Sequence, residues 1–205
     1  MSLFIDVDAI CKLAHWQLLD KLPALLGTPI VECVTLSSVR YRAQRCLSKP
    51  DGRLFQTADA AQAVLAAVTS MKAPLAATAF DLSVFENASD IDPGEAVLLA
   101  AVIATPGARL LTGDKRALRA ISKLASIRPV LAGRVVMLEH VLLLALDTYG
   151  LDWVRKSVCP QAAVDKAIFI CMGSRCDAPE ISVREGFESY LNESRCACDP
   201  TILIK

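Results

Sequence analysis

Two runs decide the fold: Asp92-Pro93-Gly94-Glu95-Ala96 and, beyond an apolar stretch, Leu110-Leu111-Thr112-Gly113-Asp114-Lys115-Arg116. An acid stands where a helix should begin, with Asp92, Pro93 and Glu95 at the N-cap, N1 and N3 positions of a capping box. A second acid, Asp114, stands where the apolar run Arg109–Thr112 should end as a strand, and 115–125 then has helical spacing. Toward the N-terminus, Leu3-Phe4-Ile5-Asp6-Val7-Asp8 is another short apolar run closed by an acid. Strands alternating with helices predict an α/β fold, a three-layer α/β/α sandwich with a mainly parallel central sheet.

The remaining segments fit that alternation. Apolar residues recur at helical spacing over 9–26, and Gly27-Thr28-Pro29 ends the run. A second strand is expected over 30–36 and a helix over 37–46, with Arg40, Arg42 and Arg45 on a basic side. Ser48 to Gly52 reads as a turn, 57–71 as an Ala-rich helix, 77–84 as a strand with its exit loop, and 86–91 as a polar loop. The helix that Asp92 opens ends near Thr105-Pro106-Gly107. A last strand over 135–138 leads into an apolar helix over 139–149. After Gly150 the pattern loosens: 164–171 is an apolar helix or strand, and Ser182 to Glu185 forms a capping box for a short helix to residue 191. The chain therefore divides into a main domain, 1–150, and a C-terminal extension, 151–205, packed on it and too small for a core of its own.

Lysine plus arginine and aspartate plus glutamate number 22 each, so any phosphate-binding face must be local. The N-terminus has no basic start, and Asp6 and Asp8 interrupt its first apolar run, so it does not read as a secretory signal. The longest apolar stretches, 96–104 and 141–146, fall short of the roughly 20 residues a membrane span needs. A cytoplasmic protein is expected, with no membrane partner. On that basis the eight cysteines are expected to be thiols. Cys171, Cys176, Cys196 and Cys198 lack the two-residue knuckle spacing of a zinc site.

In a parallel α/β sheet, functional residues gather at the carboxyl ends of the strands. Asp6 and Asp114 would both emerge there, and Glu95 would face the same rim from the first turn of its helix. Three carboxylates at one rim suit Mg²⁺ or Mn²⁺, which prefer hard oxygen ligands. Each acid also has a plain local role, since aspartate is a favoured helix cap. Asp6 is the hardest to explain that way, because a carboxylate at a buried strand end is costly unless paired or metal-bound. Asp8 is a further candidate ligand, or the cap of the following helix. Both histidines, His15 and His140, are flanked by apolar helix positions, and Trp16 and Trp153 read as core.

Leu-Phe-Ile-Asp near the start, Asp-Pro-Gly-Glu-Ala before an apolar helix, and Leu-Leu-Thr-Gly-Asp-Lys-Arg-Ala after a strand resemble, in order and spacing over residues 3–145, a PIN domain. The resemblance implies a metal-dependent endoribonuclease, in many members the toxin of a toxin–antitoxin pair. By it Asp6, Glu95 and Asp114 are catalytic metal ligands for Mg²⁺ or Mn²⁺, and Thr112 supports them with its hydroxyl. One departure stands out. The family places another acid on its second helix, and 34–45 here carries none. Glu32, just before it, is a substitute ligand, and Arg40 stands in the usual place. Expected partners are an RNA substrate, an antitoxin or other protein, and a second copy of the chain as a homodimer. Lys115, Arg116, Arg119 and Arg40 are the candidate RNA-binding residues; 115, 119 and 123 share a helix face.

Two other functions compete. Without the fourth acid, the chain is a degenerate, non-catalytic PIN domain that binds RNA or a protein partner. Alternatively, Asp6-Val7-Asp8 resembles the Asp-x-Asp of haloacid-dehalogenase-type phosphatases, although Ala9-Ile10 replaces the usual Gly-Thr continuation and no second acid closely follows Asp114.

Overall fold

A computed structural model describes residues 1–48, 54–72, 81–86, 88 and 90–204. In chain order, the first half holds β1 (Leu3–Ile5), α1 (Val7–His15), α2 (Leu22–Leu26), β2 (Cys33–Val34), α3 (Ser37–Ser48), α4 (Ala58–Ser70) and α5 (Pro93–Ala104). Then come β3 (Arg109–Thr112), α6 (Lys115–Lys123), α7 (Arg128–Leu131), β4 (Val135–Met137), α8 (Leu138–Tyr149), α9 (Leu151–Val158), α10 (Lys166–Cys171) and α11 (Glu180–Ala197). The strands form one sheet in the order β2-β1-β3-β4, with every pairing parallel.

The sheet is buried on both faces, as parallel sheets are. Side chains alternate along a strand, and the apolar clusters follow that alternation. Leu3 and Ile5 of β1, Leu111 of β3 and Val136 of β4 belong to one cluster with α1, α2, α4, α8 and α9. Phe4, Leu110, Val135 and Met137 belong to the other, with α5, α6 and α7. Helices therefore cover both faces of the sheet.

The C-terminal segment contributes to both clusters. Val183 and Phe187 of α11 join the first, while Leu191, Ile202 and Leu203 join the second. The chain end also lies along β4: Leu203 makes a parallel bridge to Val135, and the Ile204 amide donates to the Val135 carbonyl at 2.9 Å.

Several local expectations change. The helix expected over 9–26 is broken after His15, where Gln17 adopts φ +56°, and resumes as α2 at Leu22 with Pro23 in its first turn. The strand expected over 30–36 shrinks to Cys33–Val34, because Ile30–Glu32 coils into a 3-10 turn. The helix of the extension is much longer than expected, starting at Glu180 after Pro179, so Ser182 lies inside it and caps nothing. The turn at 48–52 falls largely outside the described residues, and so do 77–80 of the next expected strand.

The thiol expectation is overturned at one pair. Cys159 and Cys176, 17 residues apart, form a disulfide. Cys176 is thereby unavailable to zinc, and of its supposed partners Cys171 is buried while Cys196 is exposed. Spacing alone gave no reason to pair a cysteine after α9 with one after α10. Among the described residues no helix is long and apolar enough to cross a membrane.

Because Phe187 is fully buried in the cluster shared with the sheet, Phe187→Ala should destabilise the entire chain by about 3–5 kcal/mol. Urea unfolding should show one cooperative transition at a lower midpoint. Two transitions, only one of them moved, would mean that the extension folds independently.

Candidate functional site

The parallel ladder sends the exits of β1, β3 and β4 to one edge. Asp6 follows β1 directly. Its amide donates to the Leu111 carbonyl of β3 at 3.0 Å, and its carboxylate accepts the Val7 amide at 2.7 Å as the N-cap of α1. Thr35, past the end of β2, donates its hydroxyl to the Ile5 carbonyl at 2.8 Å and fixes the neighbouring turn. After β3, buried Thr112 accepts the Asp114 amide on its hydroxyl at 3.0 Å. Asp114 then caps α6, accepting the amides of Arg116 at 2.6 Å and Ala117 at 3.1 Å. Gly113 between them is crowded: a Cβ there would meet Leu138 Cδ1 at 2.6 Å. At the start of α5 the capping box is complete, with Glu95 N donating to Asp92 and Asp92 N donating to Glu95, both at 2.8 Å.

Asp6, Asp8, Asp92, Glu95 and Asp114 line one open cleft of about 520 Å³, together with Arg42, Lys115 and Arg116. The charges in it oppose one another. Burial, with Asp8 and Asp92 nearby, pushes the Asp6 carboxyl up to about 6, against the lowering effect of the Val7 amide. Glu95 is pushed up to about 7, chiefly by burial and then by Asp114, Asp92 and Asp6, although the Asp92 amide favours its ionised form. Asp114 goes the other way. Burial raises it, but the Ala117 and Arg116 amides and the Arg116 guanidinium outweigh that and hold it below the usual carboxylate range.

Asp6, Glu95, Asp114 and Thr112 thus come together. Of the further candidate ligands, Asp8 reaches the cleft but forms an ion pair with Lys12 at 2.8 Å. Glu32 does not reach it. It precedes β2, on the amino-terminal edge of the sheet, and is bound to Lys72 at 2.5 Å and to Ser2. As a substitute metal ligand it is corrected by the parallel strand direction, which puts it opposite Asp6.

The basic residues also sort differently. Arg40 is exposed and does not line the cleft, whereas Arg42 does. Buried Val39, Ala43 and Cys46 define the inner stripe of α3, and Arg42 borders that stripe by helical periodicity. That signal was present in the sequence. Lys115 lines the cleft, but its ammonium pairs with Glu193 at 3.0 Å and sits 4.7 Å above the Tyr190 ring. Buried Glu139, after β4, stands 3.8 Å from the same ammonium. Arg116 pairs with Asp114 at 3.2 Å, and Arg119 is exposed.

As these side chains stand, no three His, Cys, Asp or Glu groups among the described residues are gathered around one point. Glu95 is folded back onto its cap and Asp114 is turned to Arg116. The donor set is nonetheless all oxygen and partly buried, and at Asp6 and Glu95 it is raised in pKa chiefly by burial and then by the neighbouring carboxylates. Those features fit a hard divalent cation such as Mg²⁺ or Mn²⁺. Comparison with protein-family models, with curated proteins and with solved structures returns no match.

The raised pKa of Asp6 has a measurable sign. Its carboxyl titrates at 3.8 when exposed and at about 6 when folded, so metal-free stability falls as pH rises through that window, by about 3 kcal/mol from this group. Asparagine keeps the N-cap and removes the charge. Asp6→Asn should therefore raise the metal-free melting temperature at pH 7.5 and converge with wild type near pH 4. Added Mn²⁺ should stabilise wild type and not the variant. A variant less stable than wild type at pH 7.5 would contradict the electrostatic account.

Proposed function

We propose that the acidic cleft is a divalent-metal site, and that the chain is a PIN-like metal-dependent endoribonuclease. The observation that carries this reading is the convergence of Asp6, Glu95 and Asp114 on one cleft at the carboxyl edge of the parallel sheet. The order of the three acids along the chain and the Leu-Leu-Thr-Gly-Asp-Lys-Arg run add the resemblance.

Asp6, Glu95 and Asp114 would hold Mg²⁺ or Mn²⁺, which supplies an activated water and neutralises phosphate charge. The chain's own residues set the stage. Asp6 is held rigidly by the β1–β3 ladder and by its cap bond to Val7. Thr112 fixes the loop that presents Asp114. Glu95 has one carboxylate oxygen committed to the Asp92 amide, and the other remains for a ligand. Arg42 and Arg116 also line the cleft and would meet a substrate phosphate there.

RNA cleavage with Mg²⁺ or Mn²⁺ tests this directly. Changes merely adjacent to metal ligands cost about 10- to 100-fold in affinity or activity, so Asp6→Asn or Asp114→Asn should reduce cleavage by more than about 100-fold. Cleavage at wild-type rate by either variant would refute the mechanism.

A second reading is favoured by one specific feature: Arg42 borders the cleft on the helix where the family carries an acid, and Arg116 occupies Asp114. These cations make the same cleft suited to binding an RNA phosphate without cutting it. RNA retention by wild type without cleavage, lost in Arg42→Glu, would support that reading over the first. The phosphatase reading gains nothing comparable, since Asp8 is paired with Lys12 and not free for acid–base work.

A further inference from the structure

The acidic cleft opens in two directions around one side chain. Arg42 lines the cleft of about 520 Å³ that leads to Lys115 and Arg116, and also a narrower one of about 310 Å³ beside Leu36, Ser38 and Gly94. Asp6, Asp92 and Glu95 line both. An extended molecule lying over these acids therefore passes Arg42 and meets α3.

Helix α3 carries Arg40, Arg42 and Arg45 and has no acid between Ser37 and Ser48. Among the described residues none of the three guanidiniums has an ion-pair or hydrogen-bond partner. On the other side of the cleft, by contrast, Lys115 is held by Glu193 and Arg116 by Asp114. The cations of α3 are the uncommitted ones of the two walls.

They do not share one face. Buried Val39, Ala43 and Cys46 mark the inner stripe. Helical periodicity puts Ser38, Arg42 and Arg45 on one flank of it and Tyr41 at the outer crest beside them, while Arg40 falls on the opposite flank, about 160° from Arg42. Arg45 follows Arg42 by three residues and Tyr41 by four, so these three side chains are neighbours. Tyr41 is 71% exposed and belongs to neither apolar cluster. Its ring lies open to solvent on the flank that carries two unpaired guanidiniums.

That combination narrows the ligand. Unpaired arginines without an acid among them select an anion, and the guanidinium fork matches phosphate bidentately. Arg42 alone would serve a single phosphate. Arg45, about one turn farther along, fits a second anionic group on the same ligand. An exposed aromatic ring beside them can stack a nucleobase, and only a strand with unpaired bases presents one. An acidic peptide would answer the arginines and leave the open ring unexplained.

We propose that this flank of α3 is a binding track for a single strand of RNA running out of the acidic cleft, with Arg42 and Arg45 on its phosphates and Tyr41 stacked on a base. The track rests on the proposed nuclease reading only for bringing a strand to the cleft.

The test measures fluorescence anisotropy of a labelled single-stranded RNA, about 12 nucleotides long and so within the usual span of single-strand sites, with the full chain in EDTA. Wild type should bind it saturably, and the duplex of the same sequence at least about 10-fold more weakly, since its bases cannot reach Tyr41. Tyr41→Ala should weaken binding by about 5-fold or more, the worth of one stacked base, without changing the salt dependence, and Tyr41→Phe should bind like wild type. Arg45→Gln should lower the slope of log affinity against log salt by about 0.7, one phosphate contact on a single strand. Arg40→Gln, the same loss of charge on the opposite flank, should leave the slope unchanged. Absent binding by wild type, equal binding of the duplex, equal effects of Arg40→Gln and Arg45→Gln, or competition by oligoglutamate as effective as by unlabelled RNA would each overturn the proposal. Binding without metal is separable from cleavage. A chain that shows this pattern but never cuts RNA refutes the nuclease reading alone, and one that cuts RNA but ignores changes at Tyr41 and Arg45 refutes the track alone.

Discussion

The candidate site depends on where one carboxylate is placed. Asp6 leaves a buried strand, keeps its amide in the β1–β3 ladder, and caps α1 with its side chain. It cannot retreat to solvent without breaking the ladder or the cap. Its negative charge is therefore held in a buried place, and Asp8, Asp92 and Glu95 are brought near it by the same parallel strand direction and helix starts. Repulsion among them is the unavoidable result. The chain relieves it partly with local cations: Lys12 on Asp8, Arg116 on Asp114. Among the described residues no cation is paired with Asp6.

Capping a helix does not exclude a second role for these acids. Asp92 and Glu95 cap each other, and Asp114 caps α6 with one oxygen while the other faces Arg116. Helix starts collect at the carboxyl edge of a parallel sheet, so residues favoured as caps are also those that can meet at one cleft. A carboxylate has two oxygens, and using one for the helix start leaves the other directed at the rim. The extension takes part too. Helix α11 brings Glu193 and Tyr190 against Lys115, a lysine at the wall of the acidic cleft.

Much of the fold was legible because burial patterns are local. The short apolar runs at Leu3–Ile5, Arg109–Thr112 and Val135–Met137, each followed by a polar or helical start, marked three of the four strands. The convergence of Asp6 and Asp114 followed from parallel topology, and that of Glu95 from its place in the first turn of its helix. What sequence reasoning missed depends on long-range geometry. Glu32 looked near the cleft in sequence, but it lies before its strand, on the far edge. Arg42 was grouped with Arg40 and Arg45 until the inner stripe of α3 separated them. The Cys159–Cys176 disulfide joins two segments whose approach no local pattern encodes, and the full length of α11 was hidden because its N-terminus has no side-chain cap.

The central claim is that the charge stored at Asp6 belongs to a cation site. Titration of the protein with Mn²⁺, following free Mn²⁺ by electron paramagnetic resonance, tests it most directly. The account predicts saturable uptake by wild type at millimolar Mn²⁺ or below, and its loss in folded Asp6→Asn. Absence of uptake by wild type, or equal uptake by the variant, would contradict it.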